Sequence, residues 1–212
     1  MMNEKLPPQL EYALNRLYAN LDPAAVACAQ EKLSLTLAEE YTAPLYYDLI
    51  PDTPIGPVYI AANDKGLVSV DFGISHDEFL GLIEKHHGQR PTRASEKLSH
   101  LKSQISDYLN GRVTKLSIPF DISSLTPFQQ QVLLAALQIP RGQVYTYADI
   151  ARKIGNPKAV RAVGQALRRN PVPIVIPCHR VIAANGQLGG YSGGGGLATK
   201  RKLLMLEGAM MA

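Results

Sequence analysis

Cys178 and His179 stand side by side in the segment Pro-Cys-His-Arg, so the chain carries a thiol beside an imidazole. The thiolate is the reactive form of cysteine, and an unperturbed thiol, with a pKa of roughly 8.5, is mostly protonated at neutral pH. A histidine in reach, directly or through one water, can take that proton. A carboxylate can in turn orient the histidine. Glu207 is the only carboxylate side chain in the last 60 residues, which makes it the nearest third member in sequence, with more distant acids still available. Taken alone, a Cys-His pair is equally the mark of a buried structural cysteine and a satisfied core histidine. What surrounds it has to decide.

The segment Asn170–Ile182 reads NPVPIVIPCHRVI. Pro171 and Pro173 rule out a regular helix and predict an extended path. Val175 and Ile176 are β-branched and apolar, so that path runs through the core, and Pro177 ends it just before the thiol. Glycines from 189 to 196 follow as a mobile loop carrying Tyr191 and Ser192. Such a loop can approach a ligand closely and offer backbone N–H groups. No Gly-Lys-Ser/Thr follows it, so it is not a phosphate loop. LATKRKLLMLEG then reads as a final helix ended by Gly208.

Upstream, Thr126 with Gln129 forms a capping-box pattern and Pro127 takes the first helical position, which predicts a helix to about Gln138. GQVYTY is a short extended piece. YADIARKIG, a break at Asn156-Pro157, and KAVRAVGQALRRN make two short helices on a tight turn, the pattern of a helix-turn-helix. The second helix carries Lys158, Arg161, Arg168 and Arg169 among small residues. It can approach a groove but offers few long polar side chains for reading base edges, so phosphate and shape contacts are expected. A packing hairpin with a solvated basic face is the plainer reading of this segment alone.

Charge separates the two parts of the chain. Residues 1–121 carry 11 Lys+Arg against 16 Asp+Glu, whereas residues 122–212 carry 11 against two, within a net charge of +4. A basic C-terminal part points to an anionic partner. Composition (46% hydrophobic, 19% charged) and length allow one large domain or two small ones. The two cysteines, Cys28 and Cys178, make neither a disulfide framework nor, alone, a zinc site. No apolar run reaches the ~20 residues needed to span a bilayer and no secretory signal is evident, so a cytoplasmic protein is expected.

Before the basic part, residues 7–18 and 23–40 read as helices, with Asp22 capping the second and Pro23 at its first position. Strands are expected around Leu45–Ile50 and Val58–Ala62, joined by PDTPIG, then a hairpin turn at NDKG before LVSVDFG. Helices follow near His76–His87 and Ala94–Asn110. This is a small α/β unit in which no chemistry is evident. Three parts result: an N-terminal helical extension over 1–42, an α/β domain over 43–121, and a mostly α, winged-helix-like domain with a helix-turn-helix over 122–212.

GQVYTYADIA, GNPKAVRAVGQALRRNPVPIVIPCHRVI and GGYSGG with a terminal LLMLEG resemble the O6-alkylguanine-DNA alkyltransferases, the methylated-DNA–protein-cysteine methyltransferases. The likeness is dense over about 125–208, looser over 43–121, and carries nothing to 1–42. It implies single-turnover transfer of an alkyl group from O6-alkylguanine in double-stranded DNA to Cys178, with the nucleotide flipped out and no cofactor or metal. It implies a role for each matched residue. His179 activates the thiol through a water and Glu207 orients His179. Asn170 braces the turn before the active-site segment, and the Tyr147 hydroxyl assists the departing guanine. Arg161 fills the space of the flipped nucleotide, Tyr191 and Ser192 close over the base, and Val181 touches it through its backbone. Lys158 and Arg168 belong to the DNA-facing helix. Four consecutive glycines, Gly193 to Gly196, stand where many relatives have two. A monomer is expected; activity on O4-alkylthymine and cooperative packing on DNA are left open.

A cysteine hydrolase would turn over, a helix-turn-helix regulator would prefer one operator, and a non-catalytic lesion sensor would lack the cysteine.

Overall fold

The computed structural model describes residues 43–210, together with Asp22 and Ala24. The Ala24 amide donates to Asp22 Oδ1 at 3.1 Å, as a capping aspartate would accept it. The helices expected over 7–18 and 23–40 otherwise lie outside the described residues, as does Cys28. From Pro44 onward the chain forms one compact unit.

Alternation of side chains along a strand lets one sheet bury both faces when both are apolar. Strand β2 (Val58–Asn63) does this. It pairs antiparallel with β1 (Tyr46–Ile50) on one side and β3 (Gly66–Phe72) on the other. Val58, Ile60 and Ala62 enter the main core, and Tyr59 and Ala61 face a smaller cluster on the opposite side. That smaller cluster is closed by helix α1 (His76–His87), whose Phe79, Leu80 and Ile83 are buried. Ser75 and Glu78 cap α1 reciprocally, and Gly88 ends it in the left-handed conformation.

A two-residue strand that the sequence did not predict, β4 (Thr92–Arg93), adds to β1 in parallel, so the sheet order is β3-β2-β1-β4. The next helix is also shorter than expected. The Thr92 and Ala94 amides pair with the carbonyls of Leu45 and Tyr47, residues 95–98 turn, and α2 runs Ser99–Leu109 rather than from Ala94. The buried face of α2, Ile105, Tyr108 and Leu109, lies in the main core.

The 118–121 segment straps the outer edge of β3. Leu67 donates to the Pro119 carbonyl and accepts from Asp121. Gly66 is required there: at φ 132° its absent Cβ would stand 2.3 Å from the Pro119 oxygen. Further along the same edge, Val70 donates to the Pro171 carbonyl at 2.9 Å.

Helix α3 (Pro127–Leu137) starts on the expected Thr126/Gln129 capping box with Pro127 at its first turn. Strand β5 (Tyr145–Thr146) leads directly into α4 (Tyr147–Lys153), capped by Thr146 and Asp149. Helix α5 (Val160–Arg168) buries Val163, Ala166 and Leu167 against the core. A 3-10 turn (Cys178–Arg180), strand β6 (Val181–Ile182), parallel to β5, and helix α6 (Gly196–Leu206) complete the chain.

The segment before Cys178 is buried as expected but is not a continuous extended run. Pro173 and Ile176 form an isolated bridge, and Ile176 donates back to the Val172 carbonyl at 2.9 Å. Ile174 is turned into the left-handed region at φ 77°. That conformation costs a β-branched residue on the order of 1–3 kcal/mol and persists only where surroundings over-determine it. Here Ile174 is locked into the core at 1% exposure.

Candidate active site

The 3-10 turn brings three consecutive side chains inward, and Cys178, His179 and Arg180 are all buried. The bracing group is Asn170, at the end of α5. Its Nδ2 donates to the Ile176 carbonyl at 2.8 Å and to Cys178 Sγ at 3.2 Å, while its Oδ1 accepts from the Val172 amide at 3.1 Å. One amide thus shapes the turn and meets the sulfur. Burial pushes the Cys178 thiol above its ordinary value; the Asn170 bond and the Lys200 cation pull the other way without overcoming it.

His179 Nε2 lies 2.7 Å from Glu207 Oε1. Glu207 also accepts from Arg180 Nε at 2.7 Å, from Arg180 Nη2 at 3.1 Å, and from the Tyr108 hydroxyl at 2.5 Å. Burial alone would raise the acid, but these donors outweigh it and hold Glu207 at about 2. Glu207 is therefore an ionised acceptor, so Nε2 must carry the hydrogen it shares with it. Burial keeps His179 below the ordinary imidazole value despite the carboxylate. The ring is neutral at pH 7 and its bare nitrogen is Nδ1. That atom is buried with no hydrogen-bond partner among the described residues. Buried polar atoms of this kind are commonly met by a water.

Two residues of this cluster were not foreseen. Tyr108 comes from α2 in the N-terminal part, accepts from Arg180 Nη2 at 2.9 Å, and is pushed up to about 12 by burial and the Glu207 carboxylate. Its only sequence signal is a tyrosine on the apolar face of a helix, whose hydroxyl must find a partner. Lys200 is wholly buried, donating to the carbonyls of Val181 and Leu188 at 2.5 Å each, and to that of Gly190 at 3.4 Å. Its spacing was the available signal: Lys200, Leu203, Leu204 and Glu207 share one face of α6. Arg180, read only as added charge, is the counter-ion of Glu207, and its Nη1 also donates to the Ile139 carbonyl.

Tyr147 and Tyr191 flank the thiol region. The Tyr147 hydroxyl reaches the Gly190 carbonyl at 3.4 Å, and burial, with the nearby sulfur, keeps the phenol protonated. Tyr191 packs on the core cluster that contains Cys178, and its hydroxyl is buried without a partner among the described residues. Ser192 is exposed on the same loop, and Val181 is buried next to the turn. Lys158, Arg161 and Arg168 do not join the buried cluster; they lie exposed on or beside α5, whose C-terminal end leads into Asn170. Among the described residues no group of His, Cys, Asp and Glu could hold a metal ion, and no helix is long and apolar enough to cross a membrane.

A buried thiol, a neutral histidine with a bare nitrogen, and a carboxylate behind it, set beneath a basic helix-turn-helix, define a DNA-binding protein with a cysteine acceptor. Comparison with known proteins agrees. The model of the 6-O-methylguanine DNA methyltransferase DNA-binding domain matches residues 127–209, and that of the ribonuclease-like domain of the same family matches residues 45–122. A methylated-DNA–protein-cysteine methyltransferase of Methanosarcina barkeri is 39% identical over 166 residues, covering 77% of this chain and 97% of that protein. The constitutive enzyme of that name from Bacillus subtilis is 38% identical over 151 residues, covering 69% and 87%. The Mycobacterium tuberculosis OGT structure in complex with DNA superposes with a TM-score of 0.66 at 37% identity, covering 77% of this chain and 93% of that one. The chain belongs to the methylated-DNA–protein-cysteine methyltransferase family.

Proposed function

We propose that this protein repairs alkylated DNA by direct reversal, moving the alkyl group of O6-alkylguanine onto Cys178. The observation that carries the reading is the neutral His179, whose Nε2–H is engaged by Glu207 and whose buried Nδ1 is left as the base. Residues 43–121 and 122–212 act as two domains: the second holds the acceptor and the DNA-facing helix, and the first supports it from behind.

An O6-alkyl carbon is shielded within a duplex, so the nucleotide has to be turned out into a pocket. Lys158 and Arg168 hold phosphates and Arg161 occupies the space the nucleotide leaves. Tyr191 and Ser192 close over the base, and the second lone pair of the Val181 carbonyl meets its edge. The Cys178 proton passes through one water to His179 Nδ1. As the S–C bond forms, the C–O6 bond breaks and its electron pair stays on guanine. The Tyr147 hydroxyl gives the guanine ring a proton as that charge develops. Solvent reprotonates Tyr147 and receives the proton from His179. The thioether has no easy leaving group, so each molecule acts once, as a monomer and without a cofactor.

The test is an intact-mass measurement after mixing the protein with a duplex containing O6-methylguanine. One added methyl, on the peptide containing Cys178, is expected, and Cys178→Ala should abolish transfer while retaining DNA binding. Repeated turnover would reveal a hydrolase instead, and a free Cys178 with the lesion still present would sink the reading.

A further inference from the structure

The loop carrying Tyr191 and Ser192 is fastened at two ends. At its start, Lys200 and Tyr147 hold the carbonyls of Leu188 and Gly190. At its end it rests on the N-terminal part, where β3 finishes. A Cβ on Gly194 would stand 1.7 Å from the Phe72 carbonyl oxygen and 2.9 Å from Gly73 Cα. From the other side, a Cβ on Gly73, at φ 68°, would stand 3.0 Å from Gly194 Cα. Two backbones touch here with nothing between them.

Gly193 is gripped between two rings: a Cβ there would meet Phe72 Cζ and Tyr191 Cε1, each at 2.7 Å. Phe72 is 2% exposed and embedded in the main core, so it cannot give way. The Phe72 and Tyr191 rings therefore meet over one face of Gly193, where a core residue of the sheet limits how the Tyr191 ring can lie. On the outer side lies a cavity of about 720 Å³ bordered by Phe72, Asn170, Pro173, Ser192 and Gly194. A loop released from Phe72 has room to move into it.

We propose that Phe72, with Gly73, is the back-stop of the alkyl pocket and a specificity-determining residue for the size of the alkyl group. This rests on the reading of Cys178 as the acceptor. Seated on Phe72 and Gly73, the loop holds Tyr191 inward and favours small groups. Unseated, it yields space beside the sulfur, and bulky groups gain.

The experiment compares single-turnover transfer from duplexes carrying O6-methylguanine and O6-benzylguanine. Phe72→Leu shortens the stop from the sheet side; Gly194→Ala lifts the loop from the other side, by driving a Cβ against the Phe72 carbonyl, and leaves the core side chains unchanged. Both should raise the benzyl-to-methyl rate ratio about tenfold, the scale on which small volume changes in an apolar pocket discriminate. A ratio that stays the same or falls in folded variants, including an equal loss of both rates, overturns the proposal, because a purely structural role moves both rates together. A wild-type protein that transfers no methyl at all would instead sink the assignment of Cys178, and this proposal with it.

Discussion

The Tyr108 hydroxyl donates to Glu207 Oε1 at 2.5 Å across 99 positions of sequence, on the same oxygen that receives His179 Nε2 at 2.7 Å. A residue of the α/β part thus shares the carboxylate that His179 faces and, after His179 and Arg180, helps to hold it ionised. It does so as a positioning group, since nothing places it against the sulfur.

Tyr108→Phe keeps the ring and removes the donor. Glu207 then becomes more basic and favours the imidazolium form, so His179 should move up from its depressed value. Because the base works only when neutral, the acid limb of the transfer rate against pH should shift to higher pH. The rate at neutral pH should fall, by less than the roughly 10²- to 10⁴-fold that a general base itself contributes. A pH profile of unchanged shape with only a lower melting temperature would reduce Tyr108 to packing.

Acid stability follows from Glu207 and Asp48. Glu207 sits at about 2 against an ordinary 4.5. Asp48, its side chain inaccessible, sits at about 2 against 3.8; burial would raise it, but Lys102 at 2.5 Å and other donors prevail. Both are depressed in the folded state, so their contribution is complete above the ordinary values and disappears as pH falls toward 2. Glu207→Gln should cost about 3–5 kcal/mol at pH 7, since it strands buried Arg180. The gap from wild type, followed by denaturant titration, should close between pH 4.5 and 2.

Asn170→Ala removes the donor on Cys178 Sγ and two turn contacts together. The bond favours the thiolate, so its loss should raise the thiol further, and the pH midpoint for alkylation by iodoacetamide should rise. Asn170→Asp is a sharper control, because a carboxylate beside the sulfur should raise that midpoint more while retaining the contact to the Val172 amide. A midpoint unmoved in both variants would confine Asn170 to the backbone.

On and just before α5, Lys158→Ala and Arg168→Ala should each weaken binding to any duplex and lower the salt slope by about 1, as expected for lost phosphate contacts. Arg161→Ala should differ: transfer from a flipped base should fall more than affinity for undamaged DNA. Fluorescence of 2-aminopurine opposite or beside the lesion, which reports unstacking, separates the two effects.

Local rules explain why much of this molecule was legible beforehand. The cap at Thr126, the NDKG hairpin and the paired helices on Gly-Asn-Pro are short-range devices, each written within a few residues; the same capping chemistry at Ser75 and Thr146 went unread. Pro-Cys-His-Arg was legible for the same reason, as a short run of residue types that carries the family resemblance. Strand β4 was not legible: two residues have no period to read, and they are a strand only because β1 offers an open edge.

The sequence by itself determined the Pro-Cys-His-Arg segment, the basic helix pair and the short caps and turns around them, since each is written in residue type and spacing within a few positions. Tertiary structure alone decided which nitrogen of His179 faces Glu207, that Tyr108 and Arg180 share that carboxylate, and that the glycine loop lies against Phe72. Those are contacts between chain segments tens of residues apart. Composition cannot order them, because hydrogen bonds and backbone contacts depend on distances that only the packed core sets.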